Sequence, residues 1–258
     1  MSASLARRRL TTALALAALA LSPLAVSTSA AADAAINPLC PPIAALHTGT
    51  QIIGHSGSAA HRPIYLTIKG SPTAAKRAMF VGAIHGNERA GVPVTRKLAA
   101  STPPAGVAYF IISLPNPDGA AYNTRQNARG VDLNRNFYSR VWAPRGTYYS
   151  GPSAMSEPES KAMCSAFRAI RATLFVTFHQ HMNMVDYGGG NKAAQATYAR
   201  STRLPFGQTT RYPGSQATWL HNAYPNTTVM TVELPAGALS SASFTRHVAA
   251  AKYIAAHH

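Results

Sequence analysis

The chain has 258 residues, of which 47% are hydrophobic, enough to form the core of one large domain or of two small ones. Only 12% of the residues are charged, and the formal net charge is +16. No basic cluster interleaved with aromatic residues and no zinc-finger spacing accompanies this charge, so a nucleic-acid-binding protein is excluded. A strongly basic protein is instead drawn to another anionic surface such as a cell-wall polymer, or its charge serves only solubility.

Residues 1–32 have the pattern of a secretory signal peptide. Three arginines precede the apolar run "LTTALALAALALSPLAV", small residues follow it, and cleavage is expected near Ala30 or Ala32. Cleavage would leave 24 − 3 = 21 basic against 8 acidic residues, a net charge of +13. The alternative is an uncleaved membrane anchor, but the run is short for a spanning helix. We therefore predict a secreted or wall-associated protein without stable membrane insertion after cleavage.

An N-terminal arm is predicted over residues 33–50, and residues 51–258 are predicted to form one domain. The chain has two cysteines, Cys40 and Cys164. An exported compartment permits disulfides and makes a free thiol a liability, so we expect a bridge between them. The alternative is two separate buried thiols.

After the arm, short apolar runs alternate with helical patterns. Each run is bounded by turn residues, which is typical of strands covered on both faces. The predicted strands are 63–68, 79–84, 107–114, 174–178 and 228–234. The predicted helices are 89–100, a helix that begins with a capping box of Ser156 and Glu159, and 241–256. This order predicts one α/β domain with a mostly parallel sheet, in which ligands bind beyond the carboxyl ends of the strands.

Candidate metal ligands and acid–base groups follow three of these strands. His85 and Glu88 follow the second strand, in "AIHGNERAG", His179 follows the fourth, and Glu233 lies near the end of the last. Two histidines, a glutamate and an open position suit a catalytic zinc, which activates water. A separate carboxylate such as Glu233 is then needed to accept a proton and deliver it to the leaving amine. His181 competes with His179 as a ligand, because residues i and i+2 of an extended chain point the same way.

A polar loop, "LPNPDGAAYNTRQNARGVDLNRNF", runs from Leu114 to Phe137 and carries three arginines. Guanidinium groups bind carboxylates in a bidentate fashion, so we expect one arginine to hold a substrate carboxylate and another to stabilise the oxyanion at the scissile carbonyl. Asp132 is suited to orient a zinc-bound histidine through its second ring nitrogen. The alternative is a solvated, arginine-rich loop.

Together these segments resemble the zinc metallocarboxypeptidases of the carboxypeptidase A type. The matching segments, spread over about residues 52 to 236, are "IGHSGSAAHRPI", "HGNE", "NPDG", "TRQNARGVDLNRNF", "YYSGPSAMSEPES", "FHQHMNMVDYG" and "TVELP". The resemblance implies a single-domain three-layer α/β/α fold with a central mixed, mostly parallel sheet, and one Zn2+ per chain. "FHQHMNMVDY" and "TVELP" are closer to the short murein tripeptide amidases, which cut the γ-D-glutamyl bond before meso-diaminopimelate. His181 stands here where those enzymes have proline.

The resemblance also implies roles for individual residues. It assigns His85, Glu88 and His179 as zinc ligands, since His179 is the histidine directly after "VTF", and it assigns Glu233 as the general acid/base.

Further roles follow by position within the matching segments. Arg125 matches the arginine that polarises the carbonyl, and Asn134 and Arg135 match the pair that holds the free carboxylate of the substrate. Asp132 matches the partner of the first zinc histidine. Tyr212 resembles the family's mobile tyrosine, in a loop whose length differs here.

The predicted function is an exported zinc exopeptidase or amidase that hydrolyses the amide bond before a C-terminal residue with a free carboxylate. A cell-wall peptide is the expected substrate class, and Asp186 is a candidate partner for an amino group on it. One alternative is an N-acyl amino acid deacylase of the aspartoacylase or desuccinylase type, which the export signal disfavours. The other is an inactive binding protein, which the presence of Glu233 disfavours.

Overall fold

The computed structural model describes residues 40–54, 56–140, 142–209 and 211–258. The predicted signal peptide, residues 1–32, and positions 33–39 of the predicted arm lie outside the described residues. Within the described part of the chain, no helix is both long enough and apolar enough to span a membrane.

In the part of the chain that the structure describes, eight strands form one mixed sheet. Their bounds are β1 Gly49–Ile53, β2 Ile64–Lys69, β3 Lys76–Ala83, β4 Val107–Ile112, β5 Leu174–Gln180, β6 Met184–Gly189, β7 Phe206–Gly207 and β8 Thr228–Leu234. The strand order is β1-β2-β4-β3-β5-β8-β6-β7. The central strands β4, β3, β5 and β8 are mutually parallel, whereas β1, β2 and β6 pair in antiparallel fashion at the flanks.

Among the described residues, five α-helices lie between strands and a sixth follows the last strand. Their bounds are α1 Gly91–Ala99, α2 Pro117–Tyr122, α3 Pro158–Ile170, α4 Lys192–Thr202, α5 Gln216–Ala223 and α6 Ser241–His257, and a 3₁₀ turn covers Leu133–Arg135.

Helices cover both faces of the sheet, so the central strands are buried on both sides. In β3, Met79 and Val81 face a hydrophobic cluster completed by α3 and α5. Ala78 and Phe80 face the other cluster, completed by α1, α4 and α6. The three-layer α/β/α architecture expected from the sequence is therefore present.

The five predicted strands and the three predicted helices all form, with ends shifted by a few residues. β1, β6, β7, α2, α4 and α5 were not predicted. The flanking strands carry a weaker signal because one face of each meets solvent, as in β1, whose exposure alternates along "GTQII". β1 also begins at Gly49, inside the predicted arm.

The predicted capping box at the start of α3 is wrong. Glu157 occupies the cap position without a side-chain cap bond. The Ser156 hydroxyl donates to Glu157 Oε1 at 2.8 Å, and Glu159 Oε1 accepts from the backbone N–H of Ala59 at 2.9 Å. The bond of Ser156 to its neighbour and the long-range bond of Glu159 use the polar groups that a cap would have used.

A disulfide joins Cys40 to Cys164, with the two Cα atoms 5.4 Å apart and both residues fully buried. The guanidinium of Arg168 donates to the carbonyl of Cys40 at 3.0 Å. The chain before β1 is thereby fixed to α3.

The strand order determines where the site forms. β5 lies between β3 and β8 and is parallel to both, with Ala83 paired to Phe178 and His179 paired to Glu233. The carboxyl ends of the three strands therefore meet at one edge of the sheet, the usual position of a ligand site in this architecture.

Candidate active site and metal centre

Three donor side chains converge at this edge. His85 and Glu88 lie in the turn after β3, and His179 lies on β5. His85 Nδ1 is 2.8 Å from Glu88 Oε1, His179 Nδ1 is 3.0 Å from Glu88 Oε2, and the two Nδ1 atoms are 3.2 Å apart. The histidines are buried, and Glu88 keeps only 12% of its side chain exposed.

These distances fit a zinc ion. Two zinc–nitrogen bonds of about 2.0–2.1 Å at a tetrahedral angle separate their donors by about 3.3 Å, close to the observed 3.2 Å between the two Nδ1 atoms. All the donor atoms lie within 4.8 Å of one another. Two imidazoles and a carboxylate are the donor set of a catalytic zinc site with an open position.

The turn that carries His85 and Glu88 is held by two glycines in close contact. A Cβ atom on Gly86 would overlap the backbone of Gly119, in the "NPDG" segment at the start of α2. Asn116 Nδ2 donates to the carbonyl of Ile84 at 3.1 Å, which joins the same two segments. The glycine of "HGNE" is therefore required by packing of one loop on the other, and the glycine of "NPDG" by the close approach of Asn116 and Gln126.

Asp132 supports His85 from the side opposite Glu88. Its Oδ1 lies 3.2 Å from His85 Nε2, and its Oδ2 accepts from Arg125 Nε at 2.9 Å. Burial disfavours the ionised carboxylate, but the hydrogen bond with His85 and the charges of His85, Arg125 and Arg135 outweigh it and lower the pKa of Asp132 to about 2. An ionised Asp132 fixes the ring of His85 so that Nδ1 faces the other ligands.

The same kind of balance keeps Glu88 ionised. Burial raises its pKa, yet the hydrogen bonds with His179 and His85 and the charges of the two rings lower it well below the usual range. Its two oxygens are thus available as anionic donors toward a cation.

Glu233 lies beside this group but outside it. It is on β8, directly opposite His179 in register, and lines the same cavity of about 460 Å³. Its Oε2 accepts from the backbone N–H of Met182 at 3.5 Å. The carboxylate is placed next to the ligand trio and remains open to the cavity.

Two arginines and two tyrosines line the rest of the cavity. Arg125 Nη1 donates to Glu88 Oε1 at 3.2 Å. Arg135 Nη1 donates to the carbonyl of Asn134 at 2.7 Å, and its guanidinium lies 4.5 Å from the ring centroid of Tyr212. The ring of Tyr148 faces both arginines, at 5.2 Å from Arg125 Cζ and 5.4 Å from Arg135 Cζ.

Comparison with known proteins agrees with this geometry. The family profile of the zinc carboxypeptidases matches residues 105–246, more than half of the chain. The chain belongs to the zinc carboxypeptidase family. It is therefore a zinc metallopeptidase by family, and the trio of His85, Glu88 and His179 is a group that can hold the ion.

Several relatives of this zinc carboxypeptidase carry a more specific name. The chain is 27% identical over 182 residues to murein peptide amidase A of Escherichia coli (strain K12), which covers 64% of this chain and 74% of that protein. It is 29% identical over 175 residues to murein peptide amidase A of Vibrio campbellii, covering 62% and 69%.

Solved structures share the fold of this zinc carboxypeptidase. The murein-tripeptide amidase MpaA from Escherichia coli O157 superposes with a TM-score of 0.66 at 24% identity, covering 82% of this chain and 93% of that chain. The carboxypeptidase A from Helicoverpa armigera also gives 0.66, at 18% identity, covering 89% and 70%.

The structure separates the two histidines that the sequence left as competing ligands. His179 belongs to the donor trio, whereas His181 is exposed and lines the cavity wall without joining the trio. His179 reaches the trio from the end of a buried strand, and the chain turns outward after Gln180.

Asp186 does not belong to the donor trio. It lines a smaller pocket of about 60 Å³ that His179 and Glu233 also line, and its Oδ1 accepts from the backbone N–H of Thr209 at 2.6 Å. Thr177, whose buried hydroxyl has no partner among the described residues, lines the same pocket.

Sequence reasoning missed Tyr148 and Gln180. Gln180 directly follows His179, and its side chain accepts from Ala90 N and donates to the carbonyls of Pro235 and Gly237. Its adjacency to His179 was a usable signal. Tyr148 lies in a loop with no such signal, because only the folded loop brings its ring to the two arginines.

Proposed function

We propose that this protein is an exported zinc amidase that hydrolyses the amide bond before a C-terminal residue with a free carboxylate, in murein peptides. The observation that carries the proposal is the presence, in one cavity, of the donor trio, the adjacent carboxylate of Glu233 and the guanidinium of Arg135. The names of the relatives support the substrate class.

A bound zinc ion lowers the pKa of water from 15.7 to about 7 and polarises a carbonyl. Glu233 accepts the proton of the attacking water and delivers it to the leaving amine, because it lies at the cavity next to the trio without belonging to it. The guanidinium of Arg125 faces the same cavity and supplies positive charge to the carbonyl oxygen as negative charge develops there.

Asn134 and Arg135 are suited to hold the free carboxylate of the substrate. Asn134 Oδ1 already accepts from the backbone N–H of Gln216 at 2.9 Å, so its amide nitrogen is the group left to donate. Arg135 lies between two tyrosine rings that hold the guanidinium in place. Burial lowers the pKa of Arg135, yet arginine stays charged in proteins.

The substitution Glu233→Gln tests the assignment. It keeps the shape of the side chain but removes the proton acceptor, so kcat should fall about 10²- to 10⁴-fold while the zinc content stays at one ion per chain. Elemental analysis and kinetics on a γ-D-glutamyl-diaminopimelate tripeptide measure both quantities. Near-normal turnover of the variant would contradict the assignment of Glu233 as the general acid/base.

A pair of histidine variants provides the matched control for the metal. His85→Ala should lose zinc, whereas His181→Ala should keep it, because His181 lies outside the trio.

The substrate class is tested by assaying the wild-type protein with ordinary α-linked peptides and with N-acyl amino acids. Faster hydrolysis of N-acyl amino acids than of the tripeptide would replace the proposal with a deacylase.

Export rests on the signal pattern of residues 1–32 and on the disulfide, which is stable in an oxidising compartment. N-terminal sequencing of the protein from the culture medium and wall fraction should find a chain that begins just after Ala30 or Ala32. Recovery of the intact N-terminus from the cytosol alone would contradict export.

A further inference from the structure

Positive charge predominates on the described surface. The chain has eight acidic residues, and the structure describes all of them except Asp33. None of the seven described carboxylates belongs to an exposed residue; they are Glu88, Asp118, Asp132, Glu157, Glu159, Asp186 and Glu233. Many lysines and arginines are exposed, so cations outnumber anions on the described exterior.

One groove shares no lining residue with the cavity of the metal centre. It has a volume of about 910 Å³, lies beside α1, and is lined by Thr50 of β1 and by Tyr65 and Thr67 of β2, whereas α3 covers the opposite face of these strands. Tyr65 and Ile52, paired across these two strands, are 51% and 60% exposed on this open face. The groove holds no metal-ligand group, so its use is different from catalysis.

Three arginines border the groove, and two of them have no ion-pair partner among the described residues, although Arg89 Nη2 donates to the side-chain oxygen of Asn123 at 3.5 Å. Arg62 is occupied by an ion pair with buried Asp118 at 2.7 Å. Arg89 and Arg96 are exposed, and no carboxylate of the described residues pairs with either. Arg96 is in the last turn of α1, and Arg89 lies in the turn just before that helix.

We propose that this groove binds a linear phosphodiester-linked polyol polymer of the cell wall, with Arg89 and Arg96 contacting phosphates of one polymer chain. Guanidinium matches phosphate in bidentate geometry, and the ring of Tyr65 offers an apolar surface to the carbon atoms between phosphates. The choice of a wall polymer rests on the proposed function, whereas the affinity for a polyanion rests on the groove and its charge alone.

Other occupants fit the groove less well. A second copy of this chain would bring another cationic surface to it and be repelled. Single-stranded nucleic acid binds on several stacked aromatic side chains, and Tyr65 is the only aromatic residue among those that line this groove.

The test is binding of poly(glycerol phosphate) to the full chain carrying Glu233→Gln, so that turnover is not required. Adding Arg89→Gln and Arg96→Gln should weaken binding roughly 2- to 30-fold at low salt. The slope of log K against log salt should become shallower by about 1.4 if both arginines contact phosphates. Failure of the amidase assay would leave this binding result unaffected, and loss of polymer binding would leave the amidase assignment unaffected.

A charge-matched control uses Lys161→Gln with Arg200→Gln. Both residues are exposed on helices outside the groove, and Arg200 occupies the last turn of α4 as Arg96 occupies the last turn of α1. Affinity should stay near that of the parent protein. An equal loss in both double variants would show attraction by net charge alone and overturn the groove assignment.

Two further probes, oligothymidylate and phosphatidylglycerol vesicles, separate the sources of phosphate. Binding of either as tight as that of poly(glycerol phosphate), and equally sensitive to the two groove substitutions, would overturn the choice of polymer. Absence of polymer binding at low salt would overturn the proposal as a whole.

Discussion

At the scale of single residues, Tyr148 has a position that links two functions of the site. Its ring faces both Arg125, which is proposed to act on the carbonyl, and Arg135, which is proposed to hold the carboxylate. A cation–π contact at an exposed site is worth about 0.5–1 kcal/mol. Tyr148 thus positions both guanidinium groups without belonging to the metal ligands.

Tyr148→Ser should raise KM for substrates with a free carboxylate by about 2- to 5-fold for each arginine released, whereas Tyr148→Phe should stay near wild type because the ring remains. Steady-state kinetics on free-acid and amidated peptides measure the effect. Tyr138→Ser is the control, since Tyr138 is 54% exposed and has no guanidinium partner among the described residues. Equal KM values for the serine and phenylalanine variants would contradict the positioning role.

Asp132 should make the zinc-free protein sensitive to acid. Its folded pKa of about 2 lies below the ordinary 3.8, so its stabilisation is complete above about pH 4 and is lost as pH falls toward 2. The shift corresponds to about 2 kcal/mol. Denaturant unfolding with chelator should show a gap between wild type and Asp132→Asn that narrows from pH 5 to about pH 2; a constant gap would contradict it.

Strand-end chemistry explains why the donor residues could be predicted from the sequence. His85, Glu88, His179 and Glu233 each follow or end a strongly apolar run, and parallel strands bring such positions to one edge. The contacts of Tyr148 and Gln180 could not be predicted in this way. They depend on loops that meet only after the sheet has formed.

At the scale of elements, the turn after β3 depends on the fit between Gly86 and Gly119. Gly86→Ala should displace the turn, destabilise the protein by about 1–3 kcal/mol and weaken zinc binding, because His85 and Glu88 are on the same turn. Thermal unfolding and zinc titration report the two effects.

Gly207→Ala serves as the matched glycine control. Its added methyl would meet only the flexible end of Met184, at 3.3 Å, and should be tolerated. Unchanged zinc affinity in Gly86→Ala would show that the turn can move without consequence for the ligands.

The helical and strand elements differ in how well their sequence predicts them. β3, β4, β5 and β8 are buried on both faces and were predicted as apolar runs, whereas β1 and β6 are partly exposed and were missed. The capping box failed for a different physical reason. Glu159 bonds to a loop a hundred positions earlier in the chain, and local patterns carry no information on such partners.

At the scale of the whole molecule, the disulfide closes a loop of 124 positions and holds the chain before β1 to α3. The double variant Cys40→Ser with Cys164→Ser should lose about 2–5 kcal/mol of unfolding free energy. Denaturant unfolding of the variant, with the wild type under reducing conditions for comparison, measures the loss. Equal unfolding free energies for the oxidised wild type and the variant would mean that the disulfide does not stabilise the fold.

The excess of basic over acidic residues has a practical consequence for the protein in solution. Acidification adds charge through histidines, and alkali removes little until lysines titrate near pH 10.4, so the exterior never passes through neutrality in ordinary buffers. The protein should stay on a cation-exchange resin, flow through an anion exchanger, and adsorb to glass unless salt is added. Its recovery during purification will therefore be governed by ionic strength more than by the choice of pH.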